Sequence, residues 1–259
     1  MTENAVALHH VEQGPADAPA VLLGPSLGTT LAMWDDLAGV LAERFRVVRF
    51  DTRGHGESPV PAGPYRLDDL VADVVALADT LDIDRFGYVG LSLGGLVGQA
   101  LAAAHPDRVS ALVLCCTGPS FGNAATWQER AARVRAEGMR WLVEPTKGRW
   151  FPDGFVEAQP DRAQPLLDMI AGTDPEGYAS CCEAIAGTDV TGRLSSVTAP
   201  TRVIAGAEDP VSPPEVGQVL ADRIPDADLV VIQGASHIAN AAQPETFDAA
   251  VLEHLEKHL

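Results

Sequence analysis

The run Phe86-Gly87-Tyr88-Val89-Gly90-Leu91-Ser92-Leu93-Gly94-Gly95 sets the tightest limit on what this chain can become. Its apolar first half reads as a buried strand, and the alanine-rich Leu93–Ala104 that follows reads as a helix. Almost no chain is left to join them. A turn that sharp strains its central residue and leaves no room for side chains beside it, which accounts for Gly90, Gly94 and Gly95. Ser92, at the apex of G-x-S-x-G, is then pushed out above the sheet next to a helix N-terminus. Taken without its flanks, a serine among glycines is an ordinary turn.

The rest of the chain repeats the same alternation. Ala20–Leu23, Arg46–Phe50, Ala111–Cys115, Thr201–Ala205 and Leu229–Ile232 read as buried strands, with Phe86–Gly90 among them. Helical patterns lie at Trp34–Ala42, Leu67–Leu81, Leu93–Ala104, Pro214–Ile224 and Pro244–His258. Short apolar strands alternating with helices predict an α/β fold, with a mostly parallel sheet covered on both faces. The alternation stops between Pro119 and Asp189, where helical runs are interrupted by Pro145, Pro152, Pro160, Pro165 and Pro175. That stretch is too long for a structureless loop. The expected organisation is therefore a core over 1–118, a helical cap over 119–189 and the rest of the core over 190–259. With 259 residues, the chain can bury roughly 70–75% of its unfolded surface, enough for one domain with an insertion.

Charge and cysteine content narrow the surroundings. The formal charge is −18, which argues against nucleic acid or an anionic membrane surface as a partner. The first residues carry Glu3 and lack a basic segment followed by an apolar core, and no apolar run reaches membrane-spanning length. The four cysteines form two adjacent pairs, Cys115-Cys116 and Cys181-Cys182. Neither pair has the spacing of a disulfide framework or a metal site. The expectation is a cytoplasmic chain with reduced, buried thiols that hold no metal; oligomeric state is left open.

A serine hydroxyl needs a base to become a nucleophile. Of the seven histidines, His237 alone follows a late strand and a short turn, where a base would arrive at the carboxyl end of the sheet. His55, in the loop Arg53-Gly54-His55-Gly56, is the weaker candidate. His9, His10, His105, His254 and His258 sit on an early strand or at helical positions. The acid that would orient the base belongs after Thr201–Ala205, where Glu208 and Asp209 both qualify by position. Asp209 is preferred, as the shorter carboxylate on a tight turn before Pro210. Two backbone N–H groups would form the oxyanion hole: Leu93, directly after the serine, and Leu27, in Gly24-Pro25-Ser26-Leu27-Gly28.

The order Ser92, Asp209, His237 is that of the α/β-hydrolases, and the chain resembles that family. Phe50-Asp51-Thr52-Arg53-Gly54-His55-Gly56-Glu57-Ser58 belongs to the same likeness. More narrowly it is similar to the 3-oxoadipate enol-lactonases. That likeness rests on Ser26–Thr30 with Met33-Trp34, on Gly138-Met139, Arg149-Trp150-Phe151 and Gly177–Ile185, and on Ala235–Asn240 with Gln243-Pro244-Glu245. It extends over core and cap. Pro25 departs from the Asn or His often found there, and Trp141 with Glu144-Pro145 departs from a stretch usually smaller in side chains. The resemblance implies the α/β-hydrolase fold and hydrolysis of an anionic enol-lactone through an acyl-enzyme, without cofactor or metal. Fold alone leaves open other esterases, lactonases or perhydrolases, and a receptor that binds without turnover.

An anionic substrate entering an acidic protein needs a local positive field. Between Arg130 and Trp150 six basic side chains face only Glu137 and Glu144. Most are expected to form ion pairs on a solvated face. Arg130 and Arg149 accompany Trp127 and Trp150, so Arg130, Arg149 and Trp150 are the expected substrate contacts.

Overall fold

In a computed structural model, described for residues 4–259, seven strands form one sheet in the order β1-β3-β2-β4-β5-β6-β7 among the described residues. The strands are β1 (His10–Gln13), β2 (Ala20–Gly24), β3 (Arg46–Phe50), β4 (Phe86–Leu91), β5 (Val109–Cys115), β6 (Thr201–Gly206) and β7 (Ala227–Ile232). Strand β1 runs antiparallel to β3, and every other pairing is parallel. The core helices are α1 (Asp35–Leu41), α2 (Leu67–Thr80), α3 (Leu93–Ala104), α9 (Pro214–Arg223) and α11 (Pro244–His258). Helices α2, α3 and α9 cover one face, α1 and α11 the other. Strands β2, β4 and β5 are buried almost throughout, as their unbroken apolar runs require.

Between β5 and β6 lie α4 (Ala124–Glu137), α5 (Val143–Trp150), α6 (Phe155–Ala158), α7 (Pro160–Gly172) and α8 (Pro175–Ala186). Short α10 (Ala239–Ala242) precedes α11. Pro160 and Pro175 open α7 and α8, where a missing N–H costs nothing. Pro165 does not interrupt its helix as the sequence suggests; it lies in the middle of α7 on an exposed face, so the Asp161 carbonyl that loses its helical donor can face water instead. The expected helix from Trp34 begins instead at Asp35. Residues Leu31–Trp34 form a 3₁₀ turn in which the Thr30 hydroxyl accepts the Ala32 N–H and Asp51 accepts that of Leu31. No helix among the described residues is long and apolar enough to cross a membrane.

The topology decides where a site can form. Chain order reverses between β2 and β4, which lie side by side with Gly24 opposite Gly90. Loops leaving two such strands diverge and open a crevice at their carboxyl ends. The loop after β2 carries Leu27, and the turn after β4 carries Ser92.

All four cysteines are free and buried. Burial pushes every thiol up, that of Cys182 to about 12. A thiol reagent is therefore expected to find none of the four until the chain unfolds, and all four afterwards. Fast reaction in the folded state, or a mass short by the hydrogens of a disulfide, would contradict this.

Candidate active site

The β4–α3 turn is built from close backbone contacts. Ser92 has φ 57°, in the left-handed region. A Cβ on Gly90 would lie 2.3 Å from the Gly94 carbonyl oxygen, and one on Gly94 would lie 2.1 Å from that of Gly24. Only glycine fits either position. The strained serine is held from both sides: its N–H donates to the Cys115 carbonyl (2.9 Å) and its carbonyl accepts from the Thr117 hydroxyl (2.8 Å).

His237 Nε2 lies 2.9 Å from Ser92 Oγ, and its Nδ1 lies 2.8 Å from Asp209 Oδ2. A carboxylate only accepts, so Nδ1 carries the proton and Nε2 is free to accept from the serine hydroxyl. The other oxygen of Asp209 accepts the N–H groups of Val211 (2.8 Å) and Ser212 (3.1 Å). Those bonds aim the carboxylate, which is 3% exposed. Glu208, one residue earlier, points to solvent. Its carbonyl lies 3.3 Å from the Ser236 hydroxyl, whose single proton it shares with the Arg149 carbonyl at 3.2 Å. This arrangement can pass the Ser92 proton to an imidazole whose resulting charge faces a fixed carboxylate.

Two amide groups remain for a developing anion. Among the described residues, the N–H groups of Leu27 and Leu93 have no acceptor within the protein. Leu93 is the first residue of α3, so the positive end of the helix dipole adds to its N–H. Pro25, the departure noted in this loop, contributes its carbonyl, which accepts from Gly94 N–H at 3.1 Å. That bond needs no side chain, and it locks the loop onto the helix start.

The cap closes a cavity of about 180 Å³ over Ser92 and His237, with Leu27, Arg130, Arg149 and Trp150 in its lining. Pockets for drug-sized ligands run to roughly 300–1,000 Å³, so this one suits a small metabolite. Arg133, Arg135 and Lys147 pair with Glu137, Glu176 and Glu183, and Glu144 at the surface. Among the described residues, neither Arg130 nor Arg149 pairs with a carboxylate. Arg130 lies over the Trp127 ring at 4.5 Å. Arg149 reaches only the Pro145 carbonyl (3.1 Å) and the Thr146 hydroxyl (3.3 Å). Burial, and then the charge of Arg130, lower the pKa of Arg149. Both guanidiniums therefore line the cavity without a carboxylate partner among the described residues.

Several lining groups were not singled out as contacts from the sequence. Trp127, Thr146 and Tyr178 share the cavity. Trp127 and Arg130 are three apart on α4, a spacing that puts them on one face and was available in the sequence. Tyr178 carries no such signal, because its place depends on how α8 packs along α4. Trp141 lies outside this lining, half-buried with Arg133 over its ring at 3.9 Å. Among the described residues no group of three or more His, Cys, Asp or Glu side chains is placed to hold a metal ion.

Residues 19–146 match the family model described as alpha/beta hydrolase fold. The 3-oxoadipate enol-lactonase 2 of Acinetobacter baylyi is 42% identical over 251 residues, covering 97% of this chain and 94% of that protein. The crystal structure of the enol-lactonase from Burkholderia xenovorans superposes with a TM-score of 0.94 at 41% identity, covering 96% of each chain. A thermophilic esterase from Thermogutta terrifontis, in a malate-bound structure, also reaches 0.94, at 30% identity over 100% of this chain and 97% of that one.

Proposed function

The chain belongs to the α/β-hydrolase family, and from that premise we propose that it hydrolyses 3-oxoadipate enol-lactone to 3-oxoadipate, a step of aromatic-acid catabolism. Ser92 is the nucleophile, His237 the base and Asp209 the group that orients it and stabilises the positive charge it gains. His237 takes the proton as Ser92 Oγ attacks the lactone carbonyl. The oxyanion rests on the N–H groups of Leu27 and Leu93; each such donor typically contributes about 2.7–4 kcal/mol to the transition state. Collapse breaks the ring C–O bond. The enol oxygen takes the proton from His237 and stays tethered to the acyl chain, so the whole ring-opened molecule is held as the acyl-enzyme. Water, deprotonated by His237, then releases the carboxylic acid. Each step of this reading draws only on these side chains and amides.

The observation that carries the substrate choice is the pair Arg130 and Arg149, free of carboxylate partners beside Ser92 in a chain of formal charge −18. An anionic lactone supplies the missing charge, and a planar guanidinium can grip its carboxylate bidentately. Trp150 and Trp127 give the ring an apolar wall. Arg130→Ala or Arg149→Ala is expected to raise KM for the enol-lactone by about tenfold or more, roughly 1.4 kcal/mol of binding if KM tracks dissociation. Hydrolysis of a neutral ester should barely change. Equal effects on both substrates, or none on either, would remove these arginines as the carboxylate site.

A different ester or lactone is the second reading, favoured by the esterase that superposes equally well. Steady-state turnover of enol-lactone against simple aryl esters separates the two. An enol-lactone kcat/KM no higher than that of the esters would reject the lactonase.

A further inference from the structure

The Leu27 amide sits in a turn with no regular structure of its own. Its direction therefore depends on what holds the two peptide planes beside it. The plane shared with Ser26 is held by Thr29, whose N–H (3.2 Å) and hydroxyl (2.8 Å) both donate to the Ser26 carbonyl. The plane shared with Gly28 is held from a different part of the chain: Gly28 N–H donates to His55 Nε2 at 3.0 Å. His55 lies in the loop after β3 and is 2% exposed. That loop is itself anchored. Arg53 makes a double ion pair with Asp73 of α2 (2.6 and 2.7 Å), and Asp51 accepts the N–H groups of Leu31 (2.7 Å) and Glu57 (3.0 Å).

The ring chemistry follows from its partners. His55 Nδ1 lies 3.3 Å from the Arg53 carbonyl, which can only accept. The proton is therefore on Nδ1, and Nε2 presents a lone pair to Gly28. Burial lowers the pKa of this imidazole, which favours the same neutral form. Its accepting nitrogen is committed to the amide of Gly28, not to Ser92, whose hydroxyl faces His237.

We infer that His55 is a positioning residue for catalysis: its unprotonated Nε2 fixes the Leu27–Gly28 peptide and thereby aims the Leu27 N–H at the oxyanion. This rests on the hydrolase reading of Ser92. Misplacing a catalytic group by an ångström can cost on the order of 10² in rate. The loss would appear in kcat, because the oxyanion exists only in the transition state and the intermediate.

The test compares two amides of the same chemistry. His55→Gln puts a carbonyl oxygen near the place of Nε2; His55→Asn puts one near Nδ1 and leaves Gly28 without an acceptor. Wild type and both variants are assayed for p-nitrophenyl acetate turnover and for phosphonylation of Ser92 by a fluorophosphonate, whose phosphoryl oxygen occupies the oxyanion position. Thermal melts and folded fractions are recorded alongside. Asn is expected to lower kcat and the phosphonylation rate about tenfold to a hundredfold, with KM within about twofold, and Gln to recover most of that loss. Equal behaviour of Gln and Asn, a change confined to KM, or losses that follow the folded fraction would each overturn the inference. A wild-type protein that neither turns over ester nor reacts at Ser92 would instead overturn the hydrolase reading.

Discussion

Ser92→Ala is expected to leave a folded protein whose turnover falls by about 10⁴ to 10⁶, the range seen when a triad nucleophile is removed. The two halves of that result have separate causes. Alanine keeps the same Cβ, so the left-handed φ of 57° at the turn is no harder to hold than before. The bonds that secure the turn come from the Ser92 backbone, not its hydroxyl. What disappears is the oxygen 2.9 Å from His237 Nε2, and among the described residues no other side chain is hydrogen-bonded to that nitrogen. His237→Ala is expected to cost about as much, because the members of a triad act as a unit. Circular dichroism and a melting curve read the first half, and steady-state kinetics the second. Retained turnover, or loss of the fold, would make this turn a structural feature.

Asp209→Asn is expected to cost on the order of 10⁴ in kcat with the fold intact, by the tautomer argument established for serine proteases. The asparagine oxygen can still accept from Val211 and Ser212, which now bind Oδ1. Its NH₂ then faces His237 Nδ1 and donates where a carboxylate accepted. The imidazole answers by moving its proton to Nε2, pointing N–H at Ser92 Oγ and losing the capacity to take the serine proton. Glu208→Gln, at an exposed side chain, is expected to be mild. The reverse pattern, with Glu208→Gln damaging and Asp209→Asn mild, would hand the orienting role to Glu208.

What could be read in the sequence divides along the range of the forces involved. The central strands were legible because each is a short local apolar run, and the burial of β2, β4 and β5 reproduces that run. Strand β7, expected to be buried, lies at the sheet edge with only Ile232 buried, because no described strand pairs beyond it. Strand β1 was harder to delimit, since an antiparallel edge strand is only half-buried and shows no unbroken apolar stretch. The neighbourhood of Ser92, Asp209 and His237 could be argued because each follows the end of a strand, and parallel strands deliver their carboxyl ends to one edge. His55 shows the limit. Its ring was weighed as a base, yet it serves an amide 27 positions earlier through contact of two loops. The bond from Asn240 Nδ2 to the Met33 carbonyl (2.8 Å) spans 207 positions. No local period encodes either contact; both depend on where packed elements finally place their loops.

The end of α5 does two things at once. Its residues Arg149 and Trp150 turn their side chains into the cavity, while their carbonyls accept from Ser236 Oγ (3.2 Å) and Ile238 N–H (3.0 Å), the two neighbours of His237. The segment lining the cavity and the loop bearing His237 therefore share a seam of hydrogen bonds. For inheritance and engineering, this makes the cap a poor module. A cap grafted from a relative would bring new side chains to the cavity and a new register to the histidine loop together. Changes of substrate are then expected to come through side chains on a kept backbone, and wholesale exchange of α4–α8 to cost turnover even when the fold survives.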